Sequence, residues 1–151
     1  MSATLTPTKE SFQNYAQIRA KHAFNVAQKW KEEWEKEKKN NPDAKFNYDV
    51  ASKKLPYMII ENGLLGAMAF ALEKKGECTE AGKLYDILSA TLEHLKDTKI
   101  GAASTSISSV EEWIEELAKG EADQFRRAVT ESMEYLSYLR RFAKKDEKKE
   151  E

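Results

Sequence analysis

Four stretches of this chain repeat their apolar residues at helical spacing and none alternates as a strand does, so its core must be built by packing helices. In the first, Phe12, Tyr15, Ala16, Ala23, Val26, Ala27, Trp30 and Trp34 share a face. Thr6-Pro7 or Thr8 can cap it and the polar run Glu35 to Asn41 closes it, which predicts a helix of about 45 Å reaching Lys39. Asn41-Pro42-Asp43 reads as a turn. A short helix from Tyr48 to Lys54 follows, stopped by the restriction that Pro56 places on its neighbour. The segment from Pro56 to Lys75 is the most apolar, and its flanks keep helical spacing across Asn62-Gly63. Gly63 and Gly66 therefore read as points of close helix approach with room for a kink, and Gly76 as a terminator.

A helix from Thr79 to Lys96 carries Ala81, Leu84, Tyr85, Leu88, Leu92 and Leu95 on one side. The small-residue stretch Gly101 to Ser109 is expected to be a mobile loop. Ser109 and Glu112 form a capping box for a short acidic helix through Trp113, Ile114 and Leu117, which Gly120 ends. Asp123 can cap the last helix. The sum is an all-α, single-domain bundle of five or six helices over residues 1–145, with a disordered charged tail over 146–151. The long helices are expected to form an antiparallel core burying Leu64, Leu65, Met68, Leu136 and Leu139, with the acidic helix outside.

Charge is balanced overall, at −1, so any binding of nucleic acid has to come from local asymmetry. Ser108 to Asp123 sets six carboxylates against Lys119, a net −5, and Gln124 to Lys145 then sets six cations against Glu131 and Glu134, a net +4. In the last helix, Phe125, Ala128, Val129, Tyr135, Leu136, Leu139, Phe142 and Ala143 fall within an arc of roughly 140°. Arg126, Arg127, Arg140, Arg141, Lys144 and Lys145 occupy the other side. Arginine presents a planar fork of donors that matches phosphate, so this row could follow a nucleic-acid backbone; a solvated helix face reads the same way. Arg19 intrudes on the apolar arc of the first helix, either as a packed stem paired to a carboxylate or as a cation held at the core's edge for phosphate.

The catalytic inventory is thin. His22, His94 and the lone Cys78 cannot supply a zinc cluster or a disulfide, and both histidines read as ordinary helix-face residues. The glycines form no phosphate-binding loop, and no nucleophile motif is present. No enzymatic activity, metal or cofactor is expected. The N-terminus has no basic and apolar signal pattern and no apolar run approaches roughly 20 residues, so no membrane association and a cytoplasmic location are expected. Trp30 and Trp34 read as core or as partner anchors.

Two segments carry a resemblance. Lys53-Lys54-Leu55-Pro56, Asn62-Gly63-Leu64-Leu65 and Ala69-Phe70, followed by Thr130-Glu131, Leu136 and Leu139-Arg140-Arg141-Phe142-Ala143, resemble the small subunit of the type III-B CRISPR RNA-targeting effector, the Cmr complex. The likeness covers Val50 to Lys75 and Phe125 to Lys144 well, the first helix loosely, and Gly76 to Gly120 not at all diagnostically. It implies a small helical protein without activity of its own, copies of which stack beside the filament of backbone subunits that holds guide RNA paired to target RNA. By position it implies RNA contact for Lys53, Lys54, Arg140 and Arg141. For Arg126, Arg127, Lys144 and Lys145 that role rests on the helix face alone, and for Arg19 on its place at the core's edge. A scaffold or adaptor module that touches only protein is the other reading.

Overall fold

The computed structural model describes residues 14–101, 104 and 106–144, and among them the chain is an all-α bundle of five α-helices. These are α1 (Tyr15–Asn40), α2 (Asn47–Glu73), α3 (Leu84–Thr98), α4 (Val110–Lys119) and α5 (Ala122–Phe142), with a 3₁₀ turn, Glu80–Lys83, leading into α3. The caps read at Thr6-Pro7 and Thr8, the face residue Phe12, Lys145 and the tail lie outside the described residues. Helix α1 starts behind Asn14, whose side chain accepts from the Gln17 amide while the Gln17 side chain accepts from the Asn14 amide, both at 2.9 Å. It ends where predicted, and Asn41 then closes the turn by accepting from the Ala44 amide.

Helix α1 and helix α5 run parallel, against expectation. Arg19 meets Glu131, His22 meets Tyr135 and Phe24 meets Phe142, so position advances on both helices together. Helix α3 does oppose α5: His94 lies against Glu131, while Gly101, just beyond the end of α3, packs on Ala128. Periodicity assigns a face to each helix but carries no information on direction.

Helix α2 holds two further differences. It passes through Pro56 without a break in helical backbone, so the short helix predicted to stop there is the first part of a longer one. The break comes at Gly63, whose φ of 81° and ψ of 163° only glycine adopts readily. There the chain turns back toward its own start. Tyr48 donates to Asp86 at 2.8 Å, Lys75 sits 4.2 Å from the Tyr85 ring centre, and Asn47 and Lys75 line one depression. A straight helix would hold Asn47 and Lys75 about 42 Å apart. No described side chain approaches the position a Gly63 Cβ would take, and Gly66 is exposed with only Asn62 of the same helix beside it, so neither is a point of close approach by another helix, and Gly63 alone serves conformation. By length and composition α2 is apolar enough to cross a bilayer, with a mean hydropathy of 1.4 over 18 residues, against the expectation that no apolar run comes near that length. Neither arm alone reaches the roughly 20 residues a span requires.

The core gathers Leu55, Leu64, Met68, Leu84, Ile87, Leu88, Leu95, Trp113, Leu136 and Leu139, all essentially without solvent contact; Leu65, expected with them, is half-buried. Helix α4 is not external, because Val110, Trp113 and Leu117 drive one face into the core and leave its glutamates outside. Ser109 caps it as predicted, but Glu112 returns its carboxylate to the Ser108 amide at 2.8 Å rather than to Ser109. Helix α5 begins behind Glu121, and Asp123 lies in its first turn instead of capping it. In the segment expected to be mobile, Gly101 is packed on Ala128 and Ile107 is buried; residues 102, 103 and 105 lie outside the described ones. Trp30 stacks on Tyr48 at 4.1 Å and Trp34 donates to the Ala44 carbonyl, so both pin the loop between α1 and α2.

Candidate nucleic-acid interface

Helix α5 is divided lengthwise. Ala128, Tyr135, Leu136, Leu139 and Ala143 are buried and Phe125, Val129 and Phe142 are packed beside them, as the 100° step between residues requires. Arg126, Arg127, Arg140, Arg141 and Lys144 are all exposed on the opposite side. Arg127 and Arg141 stand about 21 Å apart along the axis at 1.5 Å per residue, and Lys144 follows just past the helix end. Arg126 donates to Asp123 at 2.9 Å, an exposed pair within one turn, and Arg141 reaches the Ser137 carbonyl at 3.4 Å. Arg127 and Arg140 make no ion pair or hydrogen bond with another described residue. Exposed pairs of this kind contribute well under about 1 kcal/mol, so the row can be redirected to a ligand with little loss.

Arg19 is different. Its Nε and Nη2 donate to the two oxygens of Glu131 at 2.7 and 2.8 Å, and its side chain is mostly buried. Of the two readings of Arg19, the packed stem with its head on a carboxylate is the one the fold contains. Glu131 is buried as well and receives a third hydrogen bond from His94 Nε2 at 2.7 Å; an ionised carboxylate only accepts, so Nε2 is the donor. Burial alone would push the Glu131 pKa up, but the hydrogen bonds and charge of Arg19 and His94 outweigh it and bring the value down to about 2. His94 is buried, not on an ordinary helix face, and its ring stacks on Tyr135 at 4.6 Å. The Tyr135 hydroxyl lies 2.7 Å from Nδ1 of His22, whose pKa burial lowers, with His94 acting the same way. Glu131 lies three residues past Ala128 and four before Tyr135, on the inner face of α5. That position, together with an arginine in the apolar arc of the first helix, was the available signal for this cluster.

Lys53 and Lys54 stand apart from the α5 row. Both are exposed on the first arm of α2, paired with Asp49 at 3.5 Å and Glu80 at 3.4 Å. At 100° per residue they share one stripe with Val50, Tyr57 and Ile60, which are 42%, 64% and 70% exposed. No hydrogen bond, ion pair or depression among the described residues joins either lysine to an α5 arginine. The sequence-based site residues therefore divide into a cationic row on α5, a mixed apolar and basic stripe on α2, and an internal clamp at Arg19.

A bundle whose last helix turns five described cations outward while its first and last helices are locked by a buried ion pair defines a small, all-helical protein with a basic helix face. The chain matches the family of CRISPR-associated proteins described as Cas_Cmr5 over residues 15–145. It belongs to that family, and membership implies a place in a Cmr complex with other subunits. A comparison with curated proteins finds no match.

Proposed function

We propose that this chain is a non-enzymatic, cytoplasmic small subunit of a type III-B effector that contacts RNA through the outer face of α5. The observation that carries the reading is the outward row from Arg126 to Lys144, in a chain of a CRISPR-associated family. The cations neutralise phosphates of the target strand, while base pairing with the guide RNA reads its sequence. Copies of the chain, stacked beside the backbone subunits, repeat the row along one strand.

The test is the combined variant Arg140→Glu and Arg141→Glu in the assembled complex. Neither residue is in the core, so the subunit should fold and assemble. RNA affinity should drop, and its dependence on salt should become shallower by about 0.7 in the log–log slope for each phosphate the variant no longer neutralises. Unchanged affinity together with an unchanged slope rejects the role of this face. The purified chain alone should bind short RNA weakly at physiological salt, because about six cations offer little non-specific affinity, and binding should rise steeply with copy number.

A second reading has its own observation. Val50, Tyr57 and Ile60 form an exposed apolar stripe with Lys53 and Lys54 among them, a pattern that suits protein contact better than phosphate. Under this reading the two lysines serve assembly, and their replacement disturbs incorporation into the complex rather than the salt dependence of RNA binding.

A further inference from the structure

The N-terminal ends of α1 and α5 lie side by side and enclose a shallow depression of about 500 Å³, lined by Tyr15, Ile100, Asp123, Arg126, Arg127 and Glu131 among others. Its size falls within the range of small-ligand sites and suits one nucleotide rather than a long segment of chain. Tyr15 is the first residue of α1 and is 53% exposed. The ring is not loosely held. The Arg19 guanidinium carbon stands 5.9 Å from its centre, and that guanidinium is itself fixed by its two hydrogen bonds to Glu131. Both carboxylates of the depression are already matched, Glu131 by Arg19 and Asp123 by Arg126 at 2.9 Å. Among the described residues the uncommitted charge is that of Arg127, and Ile100 adds an apolar edge.

From this arrangement we infer that the depression is a mononucleotide subsite at the end of the cationic row, in which the Tyr15 ring receives the face of one base and Arg127 its phosphate. The inference rests on the RNA-binding reading of the α5 face and extends it, because phosphate contacts alone do not separate RNA from any polyanion. A stacked base does. The nucleotide is one that is unpaired or turned out of the strand, since a base inside a duplex has no free face to offer. Stacking on Tyr15 does not read base identity, as every base has a π surface.

The test uses the full chain in solution, with adenosine 5′-monophosphate and ribose 5-phosphate as probes and the Tyr15 ring and Arg127 side-chain resonances as readout. Millimolar adenosine monophosphate should shift both sets of signals together. Ribose 5-phosphate should shift those of Arg127 and leave the ring unmoved. Tyr15→Ala should lower the affinity for adenosine monophosphate by about 5-fold or more, to the level of the sugar phosphate, and Tyr15→Trp should keep or raise it. Arg127→Gln should weaken both probes. Equal affinity for the two probes, or shifts confined to other parts of the chain, would overturn the subsite. The outcome is separable from that of the face as a whole. If the subsite fails while Arg140→Glu with Arg141→Glu still weakens RNA binding by the complex, the row remains an RNA face without a stacking platform. If adenosine monophosphate binds at Tyr15 and that double variant changes nothing, the row loses its role and the nucleotide site stands.

Discussion

Replacing Glu131 by glutamine should destabilise the chain by about 3 kcal/mol at neutral pH and by much less in acid. The carboxylate has a pKa of about 2 in the fold against an ordinary 4.5, a difference of 2.5 units, which at 1.36 kcal/mol per unit is about 3 kcal/mol. Breaking a buried ion pair from one side gives the same magnitude independently, about 3–5 kcal/mol, because Arg19 loses its counter-charge and the single amide oxygen cannot accept from Arg19 Nε, Arg19 Nη2 and His94 Nε2 together. A folded-state pKa below the unfolded one means the stabilisation is complete above pH 4.5 and is lost as the pH falls through about 2. The gap between the parent chain and Glu131→Gln should therefore narrow to about 1.4 kcal/mol at pH 3, since the carboxyl of the unfolded chain is already protonated there while that of the folded chain is still mostly ionised. Urea unfolding of both proteins at pH 7 and pH 3, monitored by circular dichroism, measures the gap directly. A loss below about 1 kcal/mol at pH 7, or a gap that does not narrow in acid, would refute the reasoning.

Other perturbations follow from single features. Gly63→Ala should cost about 1–3 kcal/mol although space surrounds the site, because an L-residue is strained at a φ of 81°; a melting temperature equal to the parent's would contradict this. His22, with its pKa lowered by burial, should weaken the fold as the pH drops below its ordinary 6.5, since the unfolded chain takes up the proton first. His22→Gln should flatten stability between pH 7 and pH 5, and a slope as steep as the parent's there would assign the effect elsewhere. Tyr57→Ser with Ile60→Ser should leave stability within about 0.5 kcal/mol, as both side chains are exposed, but reduce incorporation into the complex; normal co-purification with the other subunits would remove the α2 stripe as a docking face.

The basic face of α5 was legible because a helix converts spacing in sequence into angle around its axis, and nothing else in the fold has to be known. The turn at Gly63 was not, because apolar residues keep helical spacing on both sides of it and the break resides in one residue's backbone angles. Pro56 misled in the opposite sense: its usual effect on the preceding residue is overridden where Leu55 and Ile59 are both buried in one continuous helix. The cluster around Glu131 joins residues 112 and 37 positions apart, so although Arg19 stood out in an apolar arc as a stem that could pair with a carboxylate, spacing could not say which carboxylate or bring His94 to it. Tyr15 was assigned to the apolar face of the first helix by its angle, and Ala23 and Ala27 on that face are buried, whereas Tyr15, at the helix end, is exposed.

The parallel course of α1 and α5 has an electrostatic consequence. Two adjacent helices that start at the same end point their positive dipole ends together, each equivalent to roughly half an elementary charge. Arg126, Arg127 and Tyr15 sit at that end, where the carboxyl ends of α3 and α4 and the carboxylates of Glu121 and Asp123 work against the two dipoles. Arg140, Arg141 and Lys144 sit at the opposite end of α5, where its unpaired carbonyls draw on part of their charge, as Lys38 and Lys39 do for α1. The five cations are thus unequal as anion receptors. The dipole contribution rises from the carboxyl end of α5 toward its first turn while Glu121 and Asp123 oppose it there, so an incoming polyanion meets two unlike halves of the row rather than one uniform surface.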